Sequence, residues 1–296
     1  MTPQDFLLVL FCLIDDEIKA LNLPRLRARG PNRTALSDAE VITIELAGEF
    51  WGLDADKAIY RHFRAYHAGE FPALARVRRT TFARQAANLW EAKRRLHRRL
   101  AERLRGADPV WLVDSLPVPA CQFARATFCR RFAGEADYGY DHLIKRTFYG
   151  FRLHLRTTRE GVILAAALAS ARVADAPMVF DLEPPAGSTG VGDRAYWSPA
   201  VRAELAEAGV ALLAPFAQKS RDPDPARSRR LASVRYRVET VGGQLAGRYN
   251  VKRTWARDLW HLTHRVIRKV LSHTAMAWLC ARAGHAPLSF DRLCAA

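Results

Sequence analysis

At Val110 the chain changes texture, and that change limits its fold more than any other feature. Before it, apolar residues recur at helical spacing. After it come short apolar runs, broken by Pro and Gly, that alternate with helical stretches. VWLVD (110–114) has the pattern of a buried strand, expected to stop at Pro117 and Pro119. FYGFRLHLRTT (148–158) alternates cleanly, and Gly161 turns the chain into VILAAALAS. A helix is predicted near Pro177, a short strand in STGVGD ending on Asp193, and a helix over 198–208. A strand at VALLAPF (210–216) and a long helix over 228–249 follow, with a last basic amphipathic helix over 258–282. Three early strands, then strands alternating with helices, predict an α/β fold with a mixed sheet flanked by helices.

The first part predicts helices throughout. FLLVLFCLI (6–14) is flanked by acids, has no basic segment before it and is too short to span a bilayer, so it predicts a buried helix. After a Pro/Arg-rich loop (24–33), Ser37 and Glu40 form a capping box for a helix that ends at Gly52. A shorter helix is expected over 56–66, and a continuous one from Thr80 to Gly106. These limits divide the chain into a helical domain, 1–106, and an α/β domain, 107–296, that includes the basic C-terminal helices.

Charge narrows the partner. The 296 residues carry 46 Lys plus Arg against 30 Asp plus Glu, a net +16. A chain this basic suits a polyanion, and an Arg-rich composition alone is the competing explanation. From Lys219 to Lys269 there are fourteen bases against four acids, interleaved with Tyr249, Trp255, Trp260 and His261. Helix 80–105 carries Lys93, Arg94 and Arg98 among the bases expected on its solvent face. Together with Arg235, Arg237, Arg248, Lys252 and Arg253, these are the candidate DNA contacts. Residues 37–95 could hold a helix-turn-helix, although no diagnostic turn marks it. Five widely spaced cysteines, none in a CxxC pair, are read as reduced thiols of a cytoplasmic protein, with Cys121 and Cys129 inert.

Three acids stand out by position. Asp114 ends an apolar strand, where an ionised carboxylate is costly unless paired or bound to metal. Asp193 ends a second strand, after Gly192. Glu239 follows Val238 at the edge of a helix's apolar stripe, with Arg235 four residues before it. A helical salt bridge between Arg235 and Glu239 would explain that glutamate just as simply. Taken together, two strand-end aspartates and a helical glutamate in a basic chain suit a site for two magnesium ions. His154 is read as a strand histidine near that site, not a ligand.

The sequence resembles the DDE transposases of bacterial insertion sequences, in particular the nine-eighty-two group. The likeness rests on LSDAEVITI (from Leu36), VDSLPVPAC (from Val113), YGFRLHL (from Tyr149), GDRAYWS (from Gly192) and RVETVGGQL (from Arg237). The resemblance implies an RNase H-like catalytic core behind a helical DNA-binding region. Asp114, Asp193 and Glu239 would be catalytic acids and metal ligands for two Mg2+, with Mn2+ as a substitute. It further implies double-stranded DNA as partner (the element's inverted repeats and its target), a homodimer assembled on DNA, and nucleoid association. An RNase H-like nuclease, or a decayed copy acting only as a DNA-binding protein, are the competing readings.

Overall fold

The computed structural model describes residues 1–25 and 34–293. Most of the expected Pro/Arg-rich loop (26–33) and Cys294 lie outside them. Two compact units form, one from Met1–Ala101 with Leu245–Ala296 and the other from Glu102–Gln244. The last fifty residues therefore pack with the N-terminal helices, and not with the sheet as a boundary at residue 106 anticipates.

The reason lies in α2 (Asp38–Phe50), flanked in the first unit by α1 (Pro3–Ala20) and α3 (Asp56–Tyr66). Ser37 opens α2 as expected, its Oγ accepting from Glu40 N–H at 3.1 Å while Glu40 Oε2 accepts from Ser37 N–H at 2.6 Å. From Val41 to Phe50 every residue of α2 is buried, including Glu45 and Glu49. Two carboxylates in that position need cations. Lys93, on α5 (Trp90–Leu104), donates to Glu45 at 2.7 Å. Arg268 and Lys269, on α9 (Leu259–Arg282), each donate to Glu49 at 2.6 Å. Arg268 also meets Glu45 at 3.1 Å and Asp56 of α3 at 2.6 Å. Charge pairing thus ties α9 back to α2.

Two further departures occur in this unit. The helix expected from Thr80 to Gly106 is broken at Leu89, the C-cap of α4 (Arg79–Asn88), where a buried Leu89 shares its N–H between Gln85 and Ala86 carbonyls. Lys93, expected on a solvent face, is fully buried. Its ammonium is spent on Glu45 and on the Ala86 carbonyl, so it cannot reach DNA phosphate.

The second unit is built on a six-stranded mixed sheet. Its strands are β1 (Val110–Pro119), β2 (Asp137–Asp141), β3 (Arg146–Thr158), β4 (Ile163–Ser170), β5 (Thr189–Val191) and β6 (Ala211–Leu213). The order is β2-β3-β1-β5-β6, with β4 also on β3. The pairs β1–β3, β2–β3 and β3–β4 are antiparallel, whereas β1–β5 and β5–β6 are parallel. β2 was not expected, and Gly139 in its middle explains why its apolar signal is weak.

β1 runs through both prolines instead of stopping at them. Ala120 N–H donates to the Tyr149 carbonyl of β3, so odd-numbered amides of β1 face the other edge. On that edge β5 ends at Val191, opposite Leu112. Pro117 and Pro119 therefore sit where no ladder donor is needed.

The residues Trp111 and Val113 point to one face of the sheet, into a core with Val179, Leu182, Tyr196, Leu205 and Leu212. There the expected helix at Pro177 is a 3₁₀ helix (Ala176–Leu182), beside α6 (Pro199–Glu207). Leu112 and Val191 point to the opposite face, against Val238. The helix predicted over 228–249 is two helices, α7 (Pro225–Val234) and α8 (Tyr236–Gly247), parted at Arg235. Among the described residues no helix is long and apolar enough to cross a membrane.

Candidate active site

The Leu112 face carries the three acids singled out from sequence. Asp114 lies two residues beyond Leu112, the last β1 residue paired with β5, and so shares its side of the sheet. Past that point the edge of β1 is open. The Ser115 amide, with no strand to bond, donates to Asp114 Oδ1 at 2.9 Å and fixes that carboxylate. β5 runs parallel to β1, so the chain leaving it emerges at the same end of the sheet. Asp193 stands two residues past the strand, capping the 3₁₀ turn Arg194–Tyr196, with its Oδ1 accepting from Ala195 N–H at 2.9 Å. Gly192 permits this turn: a Cβ there would lie 2.7 Å from that of Tyr196. Val238 anchors α8 on the sheet, and Glu239 follows it on the exposed side.

Electrostatics tie these acids together. Asp114 has its carboxyl pushed up to about 6, first by burial and then by the charges of Asp193 and Glu239, while Arg235 pulls the other way. The helix break at Arg235 delivers its guanidinium to Asp114, with Nη2 3.3 Å from Oδ2. That partner is Asp114 and not Glu239, so the simple helical pair anticipated from spacing is replaced by a contact across the site. Three carboxylates with one cation among them leave about two negative charges uncompensated, the electrostatic setting that hard divalent cations fill.

Among the described residues the group whose ligand atoms all lie within 4.8 Å of one another is a different one, Glu45, Asp56 and His264, and not the three acids. It does not fit a metal. Lys93 and Arg268 already occupy Glu45, Arg265 and Arg268 occupy Asp56, and Lys93 Nζ sits 2.9 Å from His264 Nδ1. A divalent ion there would meet three cations.

A network on the opposite sheet face escaped sequence reading. Ser115 Oγ donates to Asp175 at 3.0 Å, and Arg152 reaches the same hydroxyl at 3.3 Å. His154 places Nδ1 3.4 Å from the Tyr196 hydroxyl and 3.7 Å from Asp175. Burial pushes His154 down to about 4, so it is neutral, and raises Tyr196 well above its ordinary range. Nothing in the spacing marks Asp175, which reaches the network from the start of a 3₁₀ helix. His154 is the strand histidine it was expected to be.

The candidate DNA contacts are placed unequally. Arg235 is buried against Asp114. Arg237 is half-buried and stacks on Tyr236, 4.8 Å from the ring centroid. Arg248 is exposed and lies 4.8 Å from the Phe50 ring. Arg253 and Arg98 are exposed, and Lys252 is half-buried. Arg94 is half-buried and clasps Glu91 with two bonds, at 2.7 and 2.9 Å. Trp260, one of the aromatics interleaved with the C-terminal bases, is 42% exposed.

No curated protein and no solved structure matches the chain. The family described as the transposase DDE domain matches residues 106–259, which cover more than half of the sequence, all of the sheet and each of the three acids. The chain belongs to the transposase DDE domain family.

Proposed function

We propose that this chain is a DNA transposase whose catalytic acids and metal ligands are Asp114, Asp193 and Glu239. The observation that carries the reading is that the charges of Asp193 and Glu239 both act on the buried Asp114 at one end of the sheet, where Arg235 is its ion-pair partner. The sheet supports an RNase H-like core: an antiparallel trio β4-β3-β1 continued by parallel β5 and β6, with one acid within β1, one just after β5 and one on a following helix.

The donor set is all carboxylate oxygen, which suits two Mg2+ ions, with Mn2+ as substitute. Bound there, the metals would activate a water or DNA 3′-hydroxyl and stabilise the leaving oxygen of an in-line displacement. The chain supplies the alignment. Ser115 N–H orients Asp114, Ala195 N–H orients Asp193, and Val238 seats the helix that presents Glu239. Arg235 holds the Asp114 carboxylate against the repulsion of its neighbours.

Double-stranded DNA is the substrate in this reading. The transposase would bind its element's terminal inverted repeats through the helical region, cleave at the ends and join them to target DNA. Arg94, Arg98, Arg237, Arg248, Lys252 and Arg253 are proposed as phosphate contacts. Two ends must be held together, which calls for a homodimer on DNA, in the cytoplasm and at the nucleoid.

The test is cleavage and joining of labelled duplex carrying the flanking inverted repeat, with Mg2+ or Mn2+, by wild type and by Asp114→Asn, Asp193→Asn and Glu239→Gln. Metal-dependent nicking and joining, lost in all three variants, supports the proposal. Cleavage without joining or end preference would make the chain a nuclease, and sequence-specific binding with no cleavage in either metal would make it a DNA-binding protein.

A further inference from the structure

Between β1 and β3 the chain inserts residues 120–145, which hold a 3₁₀ helix (Phe123–Phe128) and the strand β2. This insert exposes aromatic and apolar side chains to an unusual degree: Phe128 is 86% and Leu143 87% exposed. Tyr138 and Tyr140, alternate residues of β2, both point outward. Tyr138 packs 5.2 Å from Tyr149, its partner across the ladder, and 6.2 Å from Phe123. Tyr140, on the same side of β2 as Tyr138, stands 4.9 Å from His142, so two groups of rings line this side of the hairpin as a strip. The opposite side of β2 is closed, since a Cβ on Gly139 would come within 2.8 Å of that of Ala171.

The strip shares a sheet face with the acids. Asp114 pairs with Leu155, and two-residue steps along β3 from Leu155 lead to Phe151 and then to Tyr149. Asp114, Tyr149 and Tyr138 therefore project on the same side, about 20 Å apart along β3 at ~3.3 Å per residue. Phe132 of the insert stacks edge-on against Phe151 at 5.2 Å, which seats the insert on that face.

Charge selects the partner. Arg125, Arg130, Arg131, Lys145 and Arg146 are all exposed around the strip. Of the insert's three acids, Asp141 accepts from Leu143 N–H at 3.0 Å and Asp137 from Tyr138 N–H at 2.7 Å, while Glu135 is exposed, so bases outnumber free acids around the rings. Exposed rings ringed by bases match nucleic acid whose bases are unstacked, each of which can lie on an aromatic face.

We infer that the β2–β3 hairpin and its 3₁₀ helix form a base-stacking platform that grips unpaired DNA on the sheet face leading to Asp114. The inference rests on the transposase reading and adds to it a preference for distorted or single-stranded DNA beside the reacting strand.

The test compares a blunt duplex with the same duplex carrying a short single-stranded tail that contains 2-aminopurine. Full-length wild type, Tyr138→Ala/Tyr140→Ala and Tyr138→Phe/Tyr140→Phe are titrated with each, and affinity and 2-aminopurine emission are read together. Wild type should prefer the tailed DNA and quench the probe. The alanine pair should lose about tenfold or more of that affinity, and the quenching with it, because the faces on which bases stack are gone. The phenylalanine pair should retain both, because it keeps the rings. Equal affinity of wild type and the alanine pair for tailed DNA overturns the inference, as does an alanine-pair defect confined to self-association without DNA. Failure of wild type to bind either DNA would remove the transposase reading as well.

Discussion

Arg235 Nη2 lies 3.3 Å from Asp114 Oδ2, and the helix carrying Glu239 restarts at the very next residue. The break between α7 and α8 thus puts the counter-ion of one acid and the backbone bearing another into a single turn. Arg235→Met removes the counter-ion and keeps the side-chain length. Asp114 is a quarter exposed and can take up a proton, so the metal-free protein should lose only about 1–2 kcal/mol. Divalent ions should bind more tightly to the variant, since one competing positive charge has gone. Thermal unfolding with and without Mn2+ checks this: the metal-induced rise in midpoint should be larger in Arg235→Met than in wild type. An equal or smaller rise would mean that the guanidinium helps to hold the metal.

Much of this site could be read from the sequence because its parts are local. The apolar run before Asp114, the motif around Asp193 and the stripe that puts Glu239 beside Val238 are all visible in short windows. Periodicity could not reveal the break at Arg235, since both halves of 228–249 keep helical spacing and what parts them is an ion pair to a residue more than a hundred positions away. The same limit hid Asp175, found only through Ser115 and His154. It also misplaced Lys93 and the C-terminal helix. A lysine among arginines resembles a solvated face until two buried glutamates on α2 are known to need cations.

Those glutamates set a second expectation. Lys93 and Glu45 are both fully buried and lie 2.7 Å apart, and burial pulls Lys93 down to about 8. Replacing Lys93 with Met should cost about 3–5 kcal/mol, because the Glu45 oxygen that it served is left uncompensated. Adding Glu45→Met to that variant should restore part of the loss, since the unserved oxygen is then removed while Arg268 keeps Glu49 and Asp56. Denaturant unfolding of the two singles and the double measures the coupling. Additive losses would show that the pair contributes through packing alone.

His154 supplies a dependence on pH. Its folded-state value is about 4, below the ordinary 6.5, because burial disfavours the charged ring. The unfolded chain therefore takes up a proton on this residue as pH falls below 6.5 while the folded chain does not, and stability is lost until about pH 4. Two and a half pKa steps amount to about 3 kcal/mol. Asp114 acts in the opposite sense: its raised carboxyl lets the folded state bind the extra proton, so acid favours folding through that group between about 6 and 3.8. The net slope of wild type mixes these with other groups, among them His264 and His273, which burial also pushes down, and the informative quantity is the difference from His154→Phe. That variant loses the imidazole contact to the Tyr196 hydroxyl at 3.4 Å and should be less stable at pH 8. Its midpoint should nevertheless fall less between pH 6.5 and 4 than that of wild type. Parallel midpoint curves for the two proteins would place the acid sensitivity elsewhere in the fold.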